Sequence, residues 1–213
     1  MRALSGKGDV VGVVLGAGLG ERMREGVGQQ KQLLAYRGTT LLGEAVAQAE
    51  ASSLDRVIVV LGAAADDVEA TLTPERATIA YNPDYQRGNL SSLKVGVVAA
   101  GDHDAIVHLV GDMPGVGASL IDLVVDAWNQ DRRPLAVTRY RDRVAHPFVL
   151  AAATTSRLDQ LREPKAIWRL IRDSDPADVL EVEAGHDAPI DVDTREDYER
   201  LLASERESSP GAE

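Results

Sequence analysis

The chain has 213 residues, a length that suits one domain. Its formal net charge is −11 and its Lys and Arg residues are not clustered, which excludes a protein that binds the nucleic-acid backbone. Hydrophobic residues make up 44% of the chain but aromatic residues only 4%, a composition typical of a buried parallel sheet covered by helices. The lack of cysteine excludes disulfides, thiolate metal sites and cysteine nucleophiles, and because no apolar segment approaches about 18 residues, we expect a cytoplasmic protein without a membrane partner.

Short apolar runs predict strands, and segments with helical periodicity predict helices. In chain order we expect a strand over 10–15, a helix over 41–52, a strand over 56–62, a short helix over 64–72, a strand over 77–82, a helix over 89–100 with Asn and Ser caps, a strand over 105–112, a helix over 119–130 capped by Ser119, and strands over 134–140 and 147–150. Beyond them, the pattern indicates helices over 154–161, 166–173 and 194–203 and a strand over 178–184.

This alternation of strands and helices predicts a three-layer, Rossmann-like α/β fold with a mostly parallel mixed sheet. We expect one domain over residues 1–204 and a disordered polar tail over 205–213. In such sheets ligands bind beyond the carboxyl ends of the strands. The loops that follow Leu15, Leu61, Asn82 and Val110 are therefore the candidates for the site.

The first of these loops is rich in glycine and reads LGAGLGERM over 15–23. It lacks the GK[ST] of a P-loop, and it lacks the third glycine of a dinucleotide fingerprint, where Glu21 stands instead. Arg22 and Lys31 flank the turn, so backbone N–H groups and two cations can cradle a triphosphate. The alternative is a surface turn with two solvated cations.

Two carboxylate segments indicate a metal site. Asp112 follows an apolar strand in LVGDMPGV, where it can hold Mg²⁺ together with nucleotide phosphates, although a lone Asp at this place can also cap a turn. Asp191 and Asp193 are two residues apart in IDVDT, so in an extended segment their side chains share a face and one or both can complete the site. Asp193 can equally belong to the cap of the following helix.

Two further places have a functional and a structural interpretation. Gly88, Asn89, Ser91 and Ser92 lie at a predicted helix N-terminus, where they can read a base edge or simply cap the helix. His146 can contact a second substrate or be a packed, half-buried histidine. His108, in the middle of a strand, is expected to point into packing.

Together and in this order, these motifs resemble the MobA/MocA-like molybdenum cofactor nucleotidyltransferases, and most of all the cytidylyltransferase branch. The matching segments are LGAGLGERM with Lys31, NPDYQRGNLSSL, VGDMPGV, AHPFVL and IDVDTREDYERL. The resemblance implies the nucleotide-diphospho-sugar transferase fold. It also implies Mg²⁺-dependent transfer of CMP from CTP, in preference to GMP from GTP, to the phosphate of molybdopterin cofactor, with release of pyrophosphate. A molybdoenzyme is then a candidate partner.

The resemblance also assigns roles to residues of this chain. It implies nucleotide binding by Leu15, Gly16, Ala17, Gly18, Gly20, Arg22, Lys31, Gly88 and Ser92. Within that set Ala17, Gly88 and Ser92 would read the base, and Lys31 would stabilise the α-phosphate. Asp112 and Asp191 would hold the metal, and His146 would lie near the acceptor.

The chain departs from the family pattern at single positions and in two segments. Gly16 stands in place of the usual alanine, Gly20 where serine is common, and Ala145 in place of the glycine before His146. The spacer REGVGQQ before Lys31 is longer than usual, and LREPKAIWRLIRD over 161–173 does not keep the usual LxGDxGARxLL of the acceptor region. Three alternatives therefore stay open: a nucleotidyltransferase with a sugar phosphate or another phosphate as acceptor, a MobA-like oxidoreductase, and a non-catalytic cofactor chaperone for a molybdoenzyme.

Overall fold

The computed structural model describes residues 9–20, 23 and 28–208. The strands are β1 (Val10–Gly16), β2 (Ala35–Tyr36), β3 (Thr39–Thr40), β4 (Arg56–Leu61), β5 (Thr78–Tyr81), β6 (Ala105–Val110), β7 (Leu135–Arg139), β8 (Val144–Ala151) and β9 (Val179–Glu183). The α-helices are α1 (Leu41–Ala51), α2 (Ala65–Glu69), α3 (Asn89–Ala100), α4 (Ala118–Asp131), α5 (Ala152–Thr155), α6 (Ala166–Asp173) and α7 (Arg195–Ser208).

Seven of the strands form one mixed sheet in the order β5-β4-β1-β6-β8-β7-β9. β1, β4, β5 and β6 run parallel, and β9 is parallel to β7. β8 is antiparallel to both of its neighbours. The mostly parallel mixed sheet is the predicted one, and the two-stranded ribbon β2-β3 lies outside it.

Helices cover both faces of this sheet and make the third layer. β1 is apolar along its whole length and fully buried, so its alternate side chains feed two separate cores. Val10 and Val14 pack in a core with residues of α1 and α4, whereas Val11 and Val13 pack in a core with residues of α3 and α6. The predicted three-layer α/β fold is thereby confirmed, and no described helix has both the length and the apolarity needed to span a membrane.

The N-terminal caps of two helices differ from the prediction, because side chains distant in sequence accept hydrogen bonds from the first helical amides. α4 begins at Ala118 after Gly117, and the amide of Ala118 donates to Gln48 Oε1 at 3.0 Å, so Ser119 is not its cap. α3 has no Asn or Ser side-chain cap; instead the amide of Leu90 donates to Glu163 Oε1 at 2.6 Å.

Three lengths also differ from the prediction. β8 begins at Val144, three residues before the expected start, because it pairs with β7 as a hairpin. The segment expected as one helix over 154–161 contains only the end of α5 and a short 3₁₀ turn. α7 continues to Ser208, into the tail expected over 205–213, because Glu205 accepts hydrogen bonds from Tyr36 and Arg37.

Candidate active site

A cavity of about 330 Å³ opens at the carboxyl ends of β1 and β6. It is lined by Leu15, Ala17, Gly18, Gly20, Lys31, Gln32, Asn89, Ser92, Val110, Gly111, Asp112, His146, Trp168, Asp191 and Asp193. Parallel strands end at a common edge of the sheet, which is why residues so far apart in sequence meet here.

The glycine loop forms one wall of this cavity and is held by the segment that follows it. Gln32 is buried, and its side-chain amide donates to the carbonyl of Gly18 at 2.8 Å. The carbonyl of Ala17 accepts from the amide of Ala63 at 3.2 Å. The loop is thus fixed on two sides, with its backbone beside the cavity.

Gly16 supports the loop from below. A Cβ added at Gly16 would lie 2.5 Å from Leu42 Cδ2, and one added at Gly111 would lie 2.4 Å from Leu42 Cδ1. Leu42 is fully buried, so the ends of β1 and β6 close on one side chain of α1 at distances that only glycine allows. This packing explains why glycine stands at position 16, where the family usually has alanine.

Three carboxylates and one lysine form the charged end of the cavity. Lys31 Nζ donates to Asp112 Oδ2 at 2.7 Å and to Asp193 Oδ1 at 2.9 Å. Asp112, Asp191 and Asp193 each place a carboxylate oxygen within 4.8 Å of the others. The amide of Val192 donates to the carbonyl of Asp112 at 2.9 Å, which ties the IDVDT segment to the end of β6.

A different carboxylate caps α7, which leaves that of Asp193 turned toward the lysine. Asp197 Oδ2 accepts from the amides of Asp193 and Thr194 and from the hydroxyl of Thr194, and the amide of Asp197 donates back to Thr194 Oγ1. This is a capping box. Both Asp191 and Asp193 can therefore serve the site with Asp112.

The charges of this cluster perturb one another. Burial acts to lower the pKa of Lys31, but the carboxylates of Asp112 and Asp193 outweigh it and raise that pKa above its usual value. Desolvation raises the pKa of Asp191 to about 6, and repulsion from the other two carboxylates acts in the same direction. Asp191 remains exposed at the rim, where a cation can reach it from solvent.

The carboxylate cluster suits a divalent cation. Hard cations such as Mg²⁺ and Mn²⁺ prefer carboxylate oxygens, and among the described residues this is the group whose oxygens converge closely enough. The Lys31 ammonium, bonded to two of the three carboxylates, shows that the cluster attracts a positive charge. Asp112, Asp191 and Asp193 would hold the ion.

The N-terminus of α3 forms the opposite wall. The buried side chain of Asn82 donates to the hydroxyls of Ser91 and Ser92 at 2.9 Å each. Ser92 lines the cavity, whereas Gly88 lines a neighbouring cavity. The predicted base-reading residues are therefore divided between two adjoining spaces.

His146 lies where the first cavity meets the second, at a bulge in β8. Burial lowers its pKa to about 4. His108 packs edge-on against it with ring centroids 4.6 Å apart. Burial and the neighbouring His146 hold the pKa of His108 well below its usual range, so both imidazoles are neutral at pH 7.

The structure brings together most of the residues that the sequence singled out. Those that line the first cavity are Leu15, Ala17, Gly18, Gly20, Lys31, Ser92, Asp112, His146, Asp191 and Asp193. Gly16 lies beneath the loop, Gly88 borders the second cavity, and Arg22 lies outside the described residues.

Sequence reasoning missed Gln32, Asn89 and Trp168 as cavity residues. Gln32 directly follows Lys31, and a polar residue there in an otherwise apolar KQLLAY segment was the available signal. Asn89 belongs to the predicted helix start that can read a base edge or cap the helix, but it is not among the residues assigned to the nucleotide. Trp168 had no signal, because its position depends on how α6 docks against β8.

Comparison with known proteins agrees with this geometry. The family model of the MobA-like NTP transferase domain matches residues 12–179. The chain belongs to the MobA-like NTP transferase family. The chain is therefore a nucleotidyltransferase.

Two curated relatives of this MobA-like chain span nearly its whole length. Nicotine blue oxidoreductase of Paenarthrobacter nicotinovorans is 30% identical over 199 residues, covering 91% of this chain and 96% of the relative. Molybdenum cofactor cytidylyltransferase of Escherichia coli strain K12 is 26% identical over 196 residues, covering 91% and 95%.

Two solved structures share the fold of this chain. The Rv0371c homologue from Mycobacterium sp. strain JC1 is 36% identical with a TM-score of 0.83, covering 94% of this chain and 98% of that one. Mycobacterium tuberculosis Rv0371c, in a structure described as a complex with manganese, is 32% identical with a TM-score of 0.77, covering 92% and 99%.

Proposed function

We propose that this MobA-like chain is a Mg²⁺-dependent cytidylyltransferase that transfers CMP from CTP to the phosphate of molybdopterin cofactor and releases pyrophosphate. The E. coli relative is named for this reaction. A structural relative was solved with manganese, which supports a divalent cation in the same family.

One observation carries the proposal, namely the position of Lys31 between Asp112 and Asp193 at the end of the glycine loop. Lys31 and the backbone of the glycine loop provide one place for phosphate oxygens, and the three carboxylates provide one for a cation. A binding module for a neutral ligand has no need for this combination.

The reaction asks the protein for position and charge rather than for a nucleophile. An oxygen of the acceptor phosphate attacks the α-phosphorus, a new P–O bond forms, and the bond to the pyrophosphate oxygen breaks. Lys31 stabilises the charge that develops on the α-phosphate, and the amides of the glycine loop hold the other phosphates. When bound, a divalent cation supplies further neutralisation of the triphosphate and of the leaving pyrophosphate.

The base of the nucleotide is assigned to the space between Ala17 and Ser92, which line the same cavity. The methyl side chain of Ala17 leaves less room than the glycine typical of the guanylyl branch, which favours CTP over GTP. Arg22, which lies outside the described residues, is assigned to the triphosphate by resemblance alone. A molybdoenzyme that receives the product is the proposed partner.

The test measures pyrophosphate release with CTP, GTP, ATP and UTP against molybdopterin and a hexose 1-phosphate, with Mg²⁺ or Mn²⁺. We expect release with CTP and molybdopterin, and a fall in kcat of at least about a hundredfold in Asp112→Asn. Asp159→Asn is the matched control, because that carboxylate pairs with Lys94 on the surface and its side chain is 92% exposed. Release with hexose 1-phosphate alone would replace the acceptor, and absence of any turnover would favour a cofactor chaperone.

An oxidoreductase is the second candidate, because one relative carries that name. Dinucleotide folds bind the ribose with an acidic residue at the end of the second strand. In this chain the second strand of the central sheet, in sequence order, is β4, which ends directly before Gly62. A Cβ added at Gly62 would lie 2.6 Å from Tyr85 Cβ and 2.9 Å from Ala17 Cβ. No acidic side chain fits at Gly62. A flavin-like absorbance band, or oxidation of NADH or NADPH by the purified chain, would revive this candidate.

A further inference from the structure

A second cavity, of about 370 Å³, adjoins the first. It lies between the N-terminus of α3, the strands β6 and β8, and the segment that leads into α6. Asn89, His146 and Trp168 line both cavities. A molecule that occupies the second space therefore reaches the place assigned to the triphosphate.

Aromatic rings make one wall of this second cavity. Trp168 packs edge-on against Phe148, with ring centroids 5.1 Å apart, and His146 lies 4.3 Å from Phe148. Trp168 nevertheless remains 40% exposed. A large indole held in place by its neighbours but open to a cavity is a suitable surface for stacking a flat ring.

Two histidines that line this cavity have imidazole nitrogens without a hydrogen-bond partner among the described residues. Neither ring nitrogen of His108, nor Nε2 of His146, makes a hydrogen bond within the part of the chain that the structure describes. His108 is only 3% exposed. Buried polar atoms are nearly always hydrogen-bonded in native proteins, so these nitrogens point to a ligand that completes them.

Neutral imidazoles select a particular kind of ligand. Each offers one N–H donor and one nitrogen acceptor, so the complementary group carries both an acceptor and a donor along one edge, as the amide edge of a heterocycle does. The other lining residues include Leu90, Ala166 and Ile167, which suit a flat ring better than a ring of hydroxyl groups.

Two charged residues, Glu163 and Lys165, line this cavity, and the first also stabilises the fold. Glu163 Oε1 accepts from the amide of Leu90 and so holds the start of α3. Lys165 lies directly before α6 and also lines the cavity, where its ammonium suits an anionic substituent.

We propose that the second cavity binds the planar heteroaromatic part of the acceptor, which stacks on Trp168 and hydrogen-bonds to His108 and His146. This inference rests on the proposed function, because the acceptor phosphate has to enter the first cavity. Residues 163 and 165–168 of the lining come from the segment over 161–173 that departs from the family motif. We therefore infer that acceptor specificity depends on side chains of this segment.

The experiment uses the full chain and a phosphate-free probe, 6-hydroxymethylpterin, with a hexose 1-phosphate for comparison. The chain has two tryptophans, and Trp128 is buried in the core at 2% exposure. Quenching of fluorescence on addition of the pterin therefore reports on Trp168. We expect quenching that Trp168→Phe abolishes, while calorimetry shows that this variant still binds the pterin because a ring remains to stack.

Affinity then separates stacking from hydrogen bonding. We expect Trp168→Ala to weaken pterin binding about tenfold, the loss of one stacking contact. Tyr81→Ala is the matched control, because that tyrosine is 50% exposed on an edge strand and lines neither cavity. We expect His108→Leu to weaken pterin binding by a similar factor while its melting temperature stays equal or rises, because a buried unpaired polar group has been removed.

The outcomes distinguish this inference from the proposed function. Pterin binding that depends on Trp168 and His108 supports the cavity assignment even if no pyrophosphate is released, and such inactivity would count only against the transferase reaction. If Trp168→Ala and His108→Leu both turn over with an unchanged KM for the acceptor and an unchanged affinity for the pterin, the cavity assignment alone is overturned. Trp168-dependent binding of hexose 1-phosphate but not of pterin would also overturn it, as would an equal loss of CTP and pterin affinity.

Discussion

Replacing Lys31 with Met is expected to tighten metal binding while it abolishes catalysis. In the absence of nucleotide, a cation entering the carboxylate cluster has to displace an ammonium that is hydrogen-bonded at 2.7 and 2.9 Å. The Lys31 side chain is 11% exposed, so solvent screens these bonds weakly. A hydrogen bond to a charged group contributes about 1.5–3 kcal/mol.

If binding of the metal breaks the equivalent of one such hydrogen bond, the affinity for the metal should be about 10- to 100-fold higher in Lys31→Met than in the native chain. Calorimetric titration with Mn²⁺ and no nucleotide measures this directly, and pyrophosphate release measures the loss of turnover. Lys94→Met is the matched control, because Lys94 pairs with Asp159 at 3.0 Å on the surface. A folded Lys31→Met protein with unchanged or weaker Mn²⁺ affinity would refute the idea that the lysine and the metal compete for the same oxygens.

Three further predictions concern stability, each measured by urea unfolding. Gly16→Ala forces a Cβ to within 2.5 Å of Leu42 and should cost about 1–3 kcal/mol, whereas Gly18→Ala, whose added Cβ meets no atom closer than 3.7 Å, should cost much less; equal losses would contradict the packing argument. Between pH 6.5 and about 4 the unfolded chain binds a proton at His146 that the folded chain does not, so His146 should lower the free energy of unfolding by about 2 kcal/mol at pH 5 relative to pH 7, and the buried His108 should add to this decrease. His146→Gln should reduce the decrease by about 2 kcal/mol and leave the contribution of His108, and a decrease of unchanged size in the variant would contradict the assignment. Glu205→Ala removes the carboxylate that anchors the last turns of α7 and should cost about 1 kcal/mol, so an unchanged midpoint would show that these bonds do not stabilise the helix.

The central sheet and the first cavity were predictable because their signals are local. The strands that begin at Val10, Arg56 and Ala105 are continuous apolar runs, as strands buried on both faces must be. α3 was predicted over 89–100 and has those bounds. Asp112 was predicted at the ligand edge because it lies two residues after Val110, the last residue of β6, and ligands bind beyond the carboxyl ends of such strands.

The features that the sequence did not predict depend on contacts between distant residues. Ser119 is not the cap of α4 because the helix begins at Ala118, whose amide donates to Gln48, 70 positions earlier in the chain. The place of Asp193 in the carboxylate cluster depends on its hydrogen bond with Lys31, which is 162 positions away in the chain. Spacing within IDVDT placed both carboxylates on one side, but only the fold could show that another residue, Asp197, caps the helix and leaves Asp193 to the lysine.

The two cavities divide this site into a part built from the family motifs and a part lined by the segment over 161–173, which departs from the family pattern. The first cavity is built from the glycine loop, the GDMP segment and IDVDT, where triphosphate chemistry leaves few alternatives to lysine and carboxylates. The second depends on how α6 packs against Phe148 and His146, and that packing can change without altering Lys31 or Asp112. Because Glu163 also holds the start of α3, a change in the acceptor segment is transmitted to the wall that carries Ser92. Under the proposed assignment of the two cavities, we expect acceptor choice and nucleotide binding to be coupled through the N-terminus of α3. Glu163→Gln should then alter the KM for CTP although Glu163 does not line the first cavity.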